Sequence, residues 1–217
     1  MTRQEWIPAA KLQCKENFLM PNYIWILILP IVLIACADDQ STFSPKPRMY
    51  PRVELPVPEY IPLDEAFDCG FTFRMSKYAQ LHKRTSYFGE ELEKECWFDI
   101  RYPNLDASLH FTYYPIDAQE SFQNLANESF RMTYEHSSIA SGIHEQPLNL
   151  NGKESGMIFT LTGPVASPYQ FYLTDTTHHF LRGSLYFNAR PNPDSIAPML
   201  EYIKVDIDTL IKSFQWK

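Results

Sequence analysis

The stretch YQFYLTDTTHHFLRGSLYF, Tyr169 to Phe187, decides the fold. Two runs rich in aromatic and aliphatic residues, YQFYLT and HFLRGSLYF, flank the polar triplet Asp175-Thr176-Thr177. Runs of this kind bounded by turn formers read as the two strands of a hairpin. A second hairpin lies upstream in GIHEQPLNLNGKESGMIFTLTG, with Asn151-Gly152 at its turn. Asn-Gly tolerates the positive φ that a tight two-residue turn requires. ASLHFTYY, residues 107–114, places Leu109, Phe111 and Tyr113 on one face at period 2. CWFDIRY (96–102) and CGFTFRM (69–75) read as further strands, and the polar, acidic span His82 to Glu95 as a loop or short helix.

Two helices complete the pattern. Phe122, Leu125, Ala126, Ser129, Met132 and Thr133 follow helical spacing, which predicts a helix from about Ala118 to His136 capped by Asp117 or Ser121. At the C-terminus, Ile196, Leu200, Ile203, Ile207, Leu210, Ile211 and Phe214 form one apolar stripe at spacings of three and four. Asp194 or Ser195 would cap that helix, with Pro198 in its first turn. Consecutive hairpins followed by a long amphipathic helix imply an α+β domain, a mostly antiparallel sheet with helices packed on it. The order of elements resembles the PsbP/Mog1-type α-β-α sandwich.

Ahead of this domain the chain changes character. Tyr23 to Ala35, YIWILILPIVLIA, carries no charge and follows Lys11 and Lys15. A basic start, a short apolar core and small residues make a secretory signal, and the core is short of the roughly 20 apolar residues of a membrane span. The lysines favour Met1 over Met20 as the start. Leu33-Ile34-Ala35-Cys36 resembles the bacterial lipoprotein box, in which the Cys thiol takes a diacylglycerol and the signal is cut before it. Diacylglycerol and an added palmitate-type chain contribute about 0.8 kcal/mol per buried CH2, so two or three chains hold a protein at a membrane. Residues 1–35 thus read as a signal peptide, 36–62 as a lipid-anchored tether and 63–217 as a single globular domain. Six prolines fall between Gln40 and Pro62. They disfavour helix and central strand, and a fully extended tether at ~3.1 Å per residue reaches on the order of 70 Å.

The chain holds four cysteines. Cys14 leaves with the signal and Cys36 carries lipid, so Cys69 and Cys96 remain as an even pair in an oxidising compartment. They read as a disulfide, with two buried thiols as the alternative. The formal net charge of −7 argues against nucleic acid as a partner. No Gly-rich phosphate loop, GxSxG elbow or HExxH is present, and the chain has only seven glycines. His178-His179 is the tightest pair among the six histidines, but neighbours on a strand point to opposite faces, so a surface turn is preferred to a metal site. Glu91 to Glu95 reads as a solvated loop. No catalytic residue, metal or cofactor is expected.

From Ser167 to Lys217 the sequence is similar to the gliding-motility lipoprotein GldD family of Bacteroidetes. The arm SPKPRMYPRVELP, the strand CGFTF and the block CWFDIRYP agree with it, and FLRGSLYFNARPNPDSIAP is its most specific part along with PKPR. The long N-terminus before Phe18 and the FGEELEKE insertion depart from it. The resemblance implies an envelope lipoprotein required for gliding and the linked type IX secretion system, acting as a non-catalytic structural or assembly factor. It implies partners among other envelope lipoproteins or translocon proteins of that apparatus. It also implies a location at the outer membrane, facing the periplasm. Arg182, Tyr186, Asn188 and Arg190 form the candidate interaction surface, polar groups beside aromatic ones. The plainer reading is preferred: Leu181, Leu185 and Phe187 are core, Arg182 and Arg190 pair with acids, and Asn188 shapes a turn before Pro191. Asp175-Thr176-Thr177 resembles the acceptor triplet of Bacteroidetes O-glycosylation, which makes Thr176 the candidate acceptor. An alternative function is a periplasmic small-molecule or glycan-binding module, using aromatics such as Trp97, Tyr113, Tyr169 and Tyr186.

Overall fold

The computed structural model describes residues 52–63, 67, 69–84, 86–87, 90–91, 96–150 and 153–217. The apolar N-terminal run, Cys36, most of the tether, the Asn151-Gly152 turn and much of the acidic span before Cys96 lie outside them. The described residues belong to one compact unit, Tyr50–Lys217.

In chain order the strands are β1 (Tyr60–Pro62), β2 (Phe71–Thr72), β3 (Arg74–Ser76), β4 (Gln80–Lys83), β5 (Ser86–Tyr87), β6 (Glu90–Glu91), β7 (Phe98–Tyr102) and β8 (Ala107–Pro115). They continue as β9 (Gly142–Leu150), β10 (Lys153–Thr162), β11 (Tyr169–Thr174), β12 (His179–Phe187) and β13 (Gln215–Trp216). The helices are α1 (Phe122–Tyr134) and α2 (Pro193–Ser213). Seven strands make one sheet in the order β4-β7-β8-β12-β11-β10-β9. Every neighbouring pair is antiparallel. The expected α+β class with a mostly antiparallel sheet is the observed one.

Alternation along each strand sorts the side chains into two layers. On one face Phe98, Ile100, Leu109, Phe111, Phe171, Leu173, Leu181 and Leu185 meet Ile203, Ile207, Leu210 and Ile211 of α2. Phe98 and Phe111 stack at 4.5 Å, with Phe73 against both. On the other face Phe159, Leu161, Tyr172 and Phe180 meet Leu125 and Ala126 of α1. Gly183 is required by this packing, because a Cβ there would run into the ring of Phe171. The two helices on opposite faces give an α-β-α sandwich.

Several local expectations shift. His82 lies in β4, an edge strand of the main sheet, where a loop or short helix was expected. Its register against β7 supplies the backbone partners that polar side chains alone do not advertise. CGFTFRM splits into β2 and β3, which pair with β13 and β1 respectively. Helix α1 starts at Phe122 because Ser121 Oγ accepts the Asn124 amide, while Asp117 Oδ1 is taken by the amides of Gln119 and Glu120 in a separate turn. Helix α2 starts at Pro193 after Asn192, so neither Asp194 nor Ser195 is the cap and Pro198 lies inside the helix.

Cys69 and Cys96 form a disulfide, Cα–Cα 5.6 Å, closing a loop with a sequence separation of 27. A loop of that length is worth about 3–4 kcal/mol in the chain-entropy account. The last residues of the tether lie on the domain: β1 pairs with β3, Val53 packs on the core, and Tyr60 donates its hydroxyl to Asp206 Oδ1 at 3.0 Å.

Candidate functional site

Helix α1 has 13 residues and covers only part of its face of the sheet. Beneath it the face is apolar; toward β7 it turns polar. One cross-strand row runs Asp99, His110, Ser184, Gln170, Phe159 by direct register. The next runs Thr112, Arg182, Tyr172. The polar ends of these rows floor a cleft of about 560 Å³, walled by Met132, Glu135 and His136 from α1 and the turn after it, and by Arg84 and Tyr186. An adjoining lobe of about 320 Å³ is lined by Trp97, Tyr114, Leu125 and Phe180. Arg84, Thr112, Met132 and Arg182 belong to both lobes.

Asp99 organises the polar end. It is 2% exposed, and its carboxylate takes Arg84 Nε at 2.8 Å, His110 Nδ1 at 2.6 Å and Arg101 Nη2 at 3.4 Å. Burial alone would raise its pKa, but the His110 hydrogen bond and the nearby positive charges outweigh it and hold the carboxyl below its ordinary value. Arg84 Nη2 also lies 2.6 Å from His110 Nδ1. That nitrogen either donates to Asp99 or accepts from Arg84, so one proton sets which contact forms. An acid, an imidazole and a hydroxyl thus stand in one row, yet the described hydrogen bonds do not join Ser184 to His110.

Of the four residues expected to form an interaction surface, two meet in the cleft. Arg182 and Tyr186 both line it, and the Tyr186 ring lies 5.4 Å from that of His110. Asn188 is at the end of the sheet, exposed, donating from Nδ2 to Asp106 Oδ1 at 3.2 Å. Arg190 is exposed in the connection to α2. Arg84, Asp99 and His110 escaped the sequence reading. The available signal was the reverse face of two strands, where Asp99 and Arg101 alternate with Phe98 and Ile100, and His110 and Thr112 with Leu109 and Phe111.

The aromatic quartet divides between the two faces. Trp97 and Tyr186 line the cleft lobes, while Tyr169 is buried in the layer under α2, as is the face carrying Tyr113. Thr176 is exposed at φ 67, in a turn built by Asp175. Asp175 Oδ1 accepts the amides of Thr177, His178 and His179. Burial works against it, but those three bonds bring its pKa down to about 2. His179 stacks on Trp216 at 4.9 Å and bonds the Tyr113 hydroxyl, whereas His178 is exposed. Among the described residues no group of three or more His, Cys, Asp or Glu could hold a metal ion.

The class defined by fold and site is an α-β-α sandwich domain with a polar, partly roofed cleft. Residues 40–216 match the gliding motility lipoprotein GldD family, and the chain belongs to that family. It is accordingly a gliding-motility-related lipoprotein of the cell envelope. No curated protein matches the chain. Among solved structures it is similar to the solution structure of cyanobacterial PsbP (CyanoP) from Synechocystis sp. PCC 6803, at 12% identity and a TM-score of 0.42, over 75% of this chain and 95% of that one.

Proposed function

We propose that this protein serves gliding and the linked type IX secretion apparatus as a non-catalytic assembly factor, anchored through lipid on Cys36 at the outer membrane and facing the periplasm. Family membership over residues 40–216 is the observation that carries the reading. The lipid fixes the domain to a leaflet, the proline-rich arm sets its distance, and the folded unit docks on another envelope protein. A clean deletion in a gliding host tests it: colony spreading and secretion of type IX cargo should both fail and return on complementation. Intact spreading and secretion would refute it. For the anchor, Cys36→Ala should move the protein out of the membrane fraction; unchanged fractionation would remove the lipid from the account.

A second reading, binding of a small molecule or glycan, is favoured by the two-lobed cleft with polar groups converging on one side.

A further inference from the structure

We propose that the cleft binds a small organic carboxylate whose apolar body lies in the aromatic lobe, with Arg182 as the anchoring cation. The proposal deepens the second reading above and rests on it.

Arg182 stands on the central strand β12, half-buried at the junction of the two lobes. Its guanidinium meets only neutral acceptors, Gln170 Oε1 at 3.3 Å and Met132 Sδ. Among the described residues it forms no ion pair, although burial lowers its pKa from the ordinary value and marks a real loss of hydration. The other arginines around the cleft are committed. Arg84 and Arg101 serve Asp99, and Arg131 holds Glu128 at 3.3 Å and Glu135 at 2.5 Å, which also occupies the two acids at the α1 rim. The charge of Glu128 reaches the guanidinium but is shared with Arg131 and forms no ion pair with Arg182. A desolvated cation so weakly offset is costly, and an incoming anion supplies what is missing.

The form of the anion follows from the surroundings. A guanidinium is a planar fork that fits a carboxylate through two parallel hydrogen bonds. Tyr186, Ser184 and Thr112 add hydroxyls on the polar side. On the other side Trp97, Tyr114, Phe180 and Leu125 offer an apolar wall, with Glu128 at its edge paired to Arg131. A carboxylate on an aromatic or aliphatic body satisfies both; inorganic phosphate satisfies only the first.

The test uses the full-length protein in detergent micelles and isothermal calorimetry at matched ionic strength. The probes are N-acetyl-L-phenylalanine, its uncharged amide, inorganic phosphate and N-acetylglucosamine. The acid should bind at least about tenfold more tightly than the amide, the scale of a charged hydrogen-bonded contact, and more tightly than phosphate. Equal affinity for acid and amide, or preference for phosphate, would overturn the proposal. N-acetylglucosamine binding without the acid would overturn it while sparing the second reading; binding of no probe would overturn both. Arg182→Gln should abolish the preference for acid over amide, and Arg182→Lys should restore part of it. Gln170 Oε1 still has the Thr133 hydroxyl within reach at 3.2 Å, shared with the Ser129 carbonyl, when Arg182 is replaced. The Tm of unliganded Arg182→Met should therefore hold or rise. A fallen Tm with the acid preference intact in Arg182→Gln would make Arg182 structural and sink the proposal.

Discussion

The two faces of the sheet are finished differently. The face under α2 is sealed by a 21-residue helix, and its aromatic side chains stack without a polar break from Phe73 to Phe214. The face under α1 is roofed by 13 residues and changes from Phe159 and Tyr172 to Asp99, His110 and Arg182 within a few strands. One face holds the domain together. The other gives up packing to leave an accessible polar surface.

Among the described residues each layer also contains one buried carboxylate, and their settings are opposite. Asp99 has two arginines and the His110 imidazole as partners. Asp206, on α2, has the Tyr60 hydroxyl on Oδ1, and among the described residues no donor meets Oδ2 in good hydrogen-bond geometry, although Ser76 and Tyr102 stand close by. Burial raises the Asp206 pKa, opposed more weakly by Tyr60, Ser76 and Tyr102. Paired charge is tolerated on the open face, whereas in the sealed layer a carboxyl is driven toward its neutral form.

The largest expected effect contrasts the faces directly. Phe111→Ala opens a hole beside three aromatic neighbours, Phe73, Phe98 and Phe171, and should cost about 3–5 kcal/mol in denaturant unfolding. Tyr186→Ala, at the cleft wall, should cost under about 1 kcal/mol. Similar costs would mean that the cleft face is also core. Next comes Asp99→Asn. A carboxyl with a lowered folded-state pKa contributes stability above its unfolded value, lost as pH falls through the folded value. The substitution should cost about 2 kcal/mol at neutral pH and flatten the acid limb of the stability curve. The smallest effect has the other sign. Asp206 has a raised folded-state pKa, so its penalty is absent below the unfolded value and grows as pH rises through the folded one. Asp206→Asn should be neutral in acid and stabilising by about 1 kcal/mol at neutral pH, read from the same curves. Loss of stability there would show that Asp206 is charged and satisfied by a group outside this layer.

Most of the fold was legible because the information is local. Leu109, Phe111 and Tyr113 mark their face of β8 by alternation, and the stripe from Ile196 to Phe214 marks α2 at helical spacing. Where backbone pairing comes from distant chain, local pattern failed. β4 is polar and short, and it is a strand only because β7 lies beside it. The site was less legible than the fold. Arg182 and Tyr186 could be picked out on one strand, but Arg84, Asp99 and His110 looked like ordinary polar positions in three separate segments.

The sequence by itself determined the apolar run ending at Cys36, the strand alternation and the long C-terminal helix, since side-chain direction repeats every two or 3.6 residues whatever the rest of the chain does. Only the tertiary structure decided the cleft. Antiparallel register brings Asp99, His110 and Ser184 into one row from three strands, and the short α1 leaves that row uncovered. Register and coverage depend on elements far apart in the chain, so no periodicity within one segment encodes them.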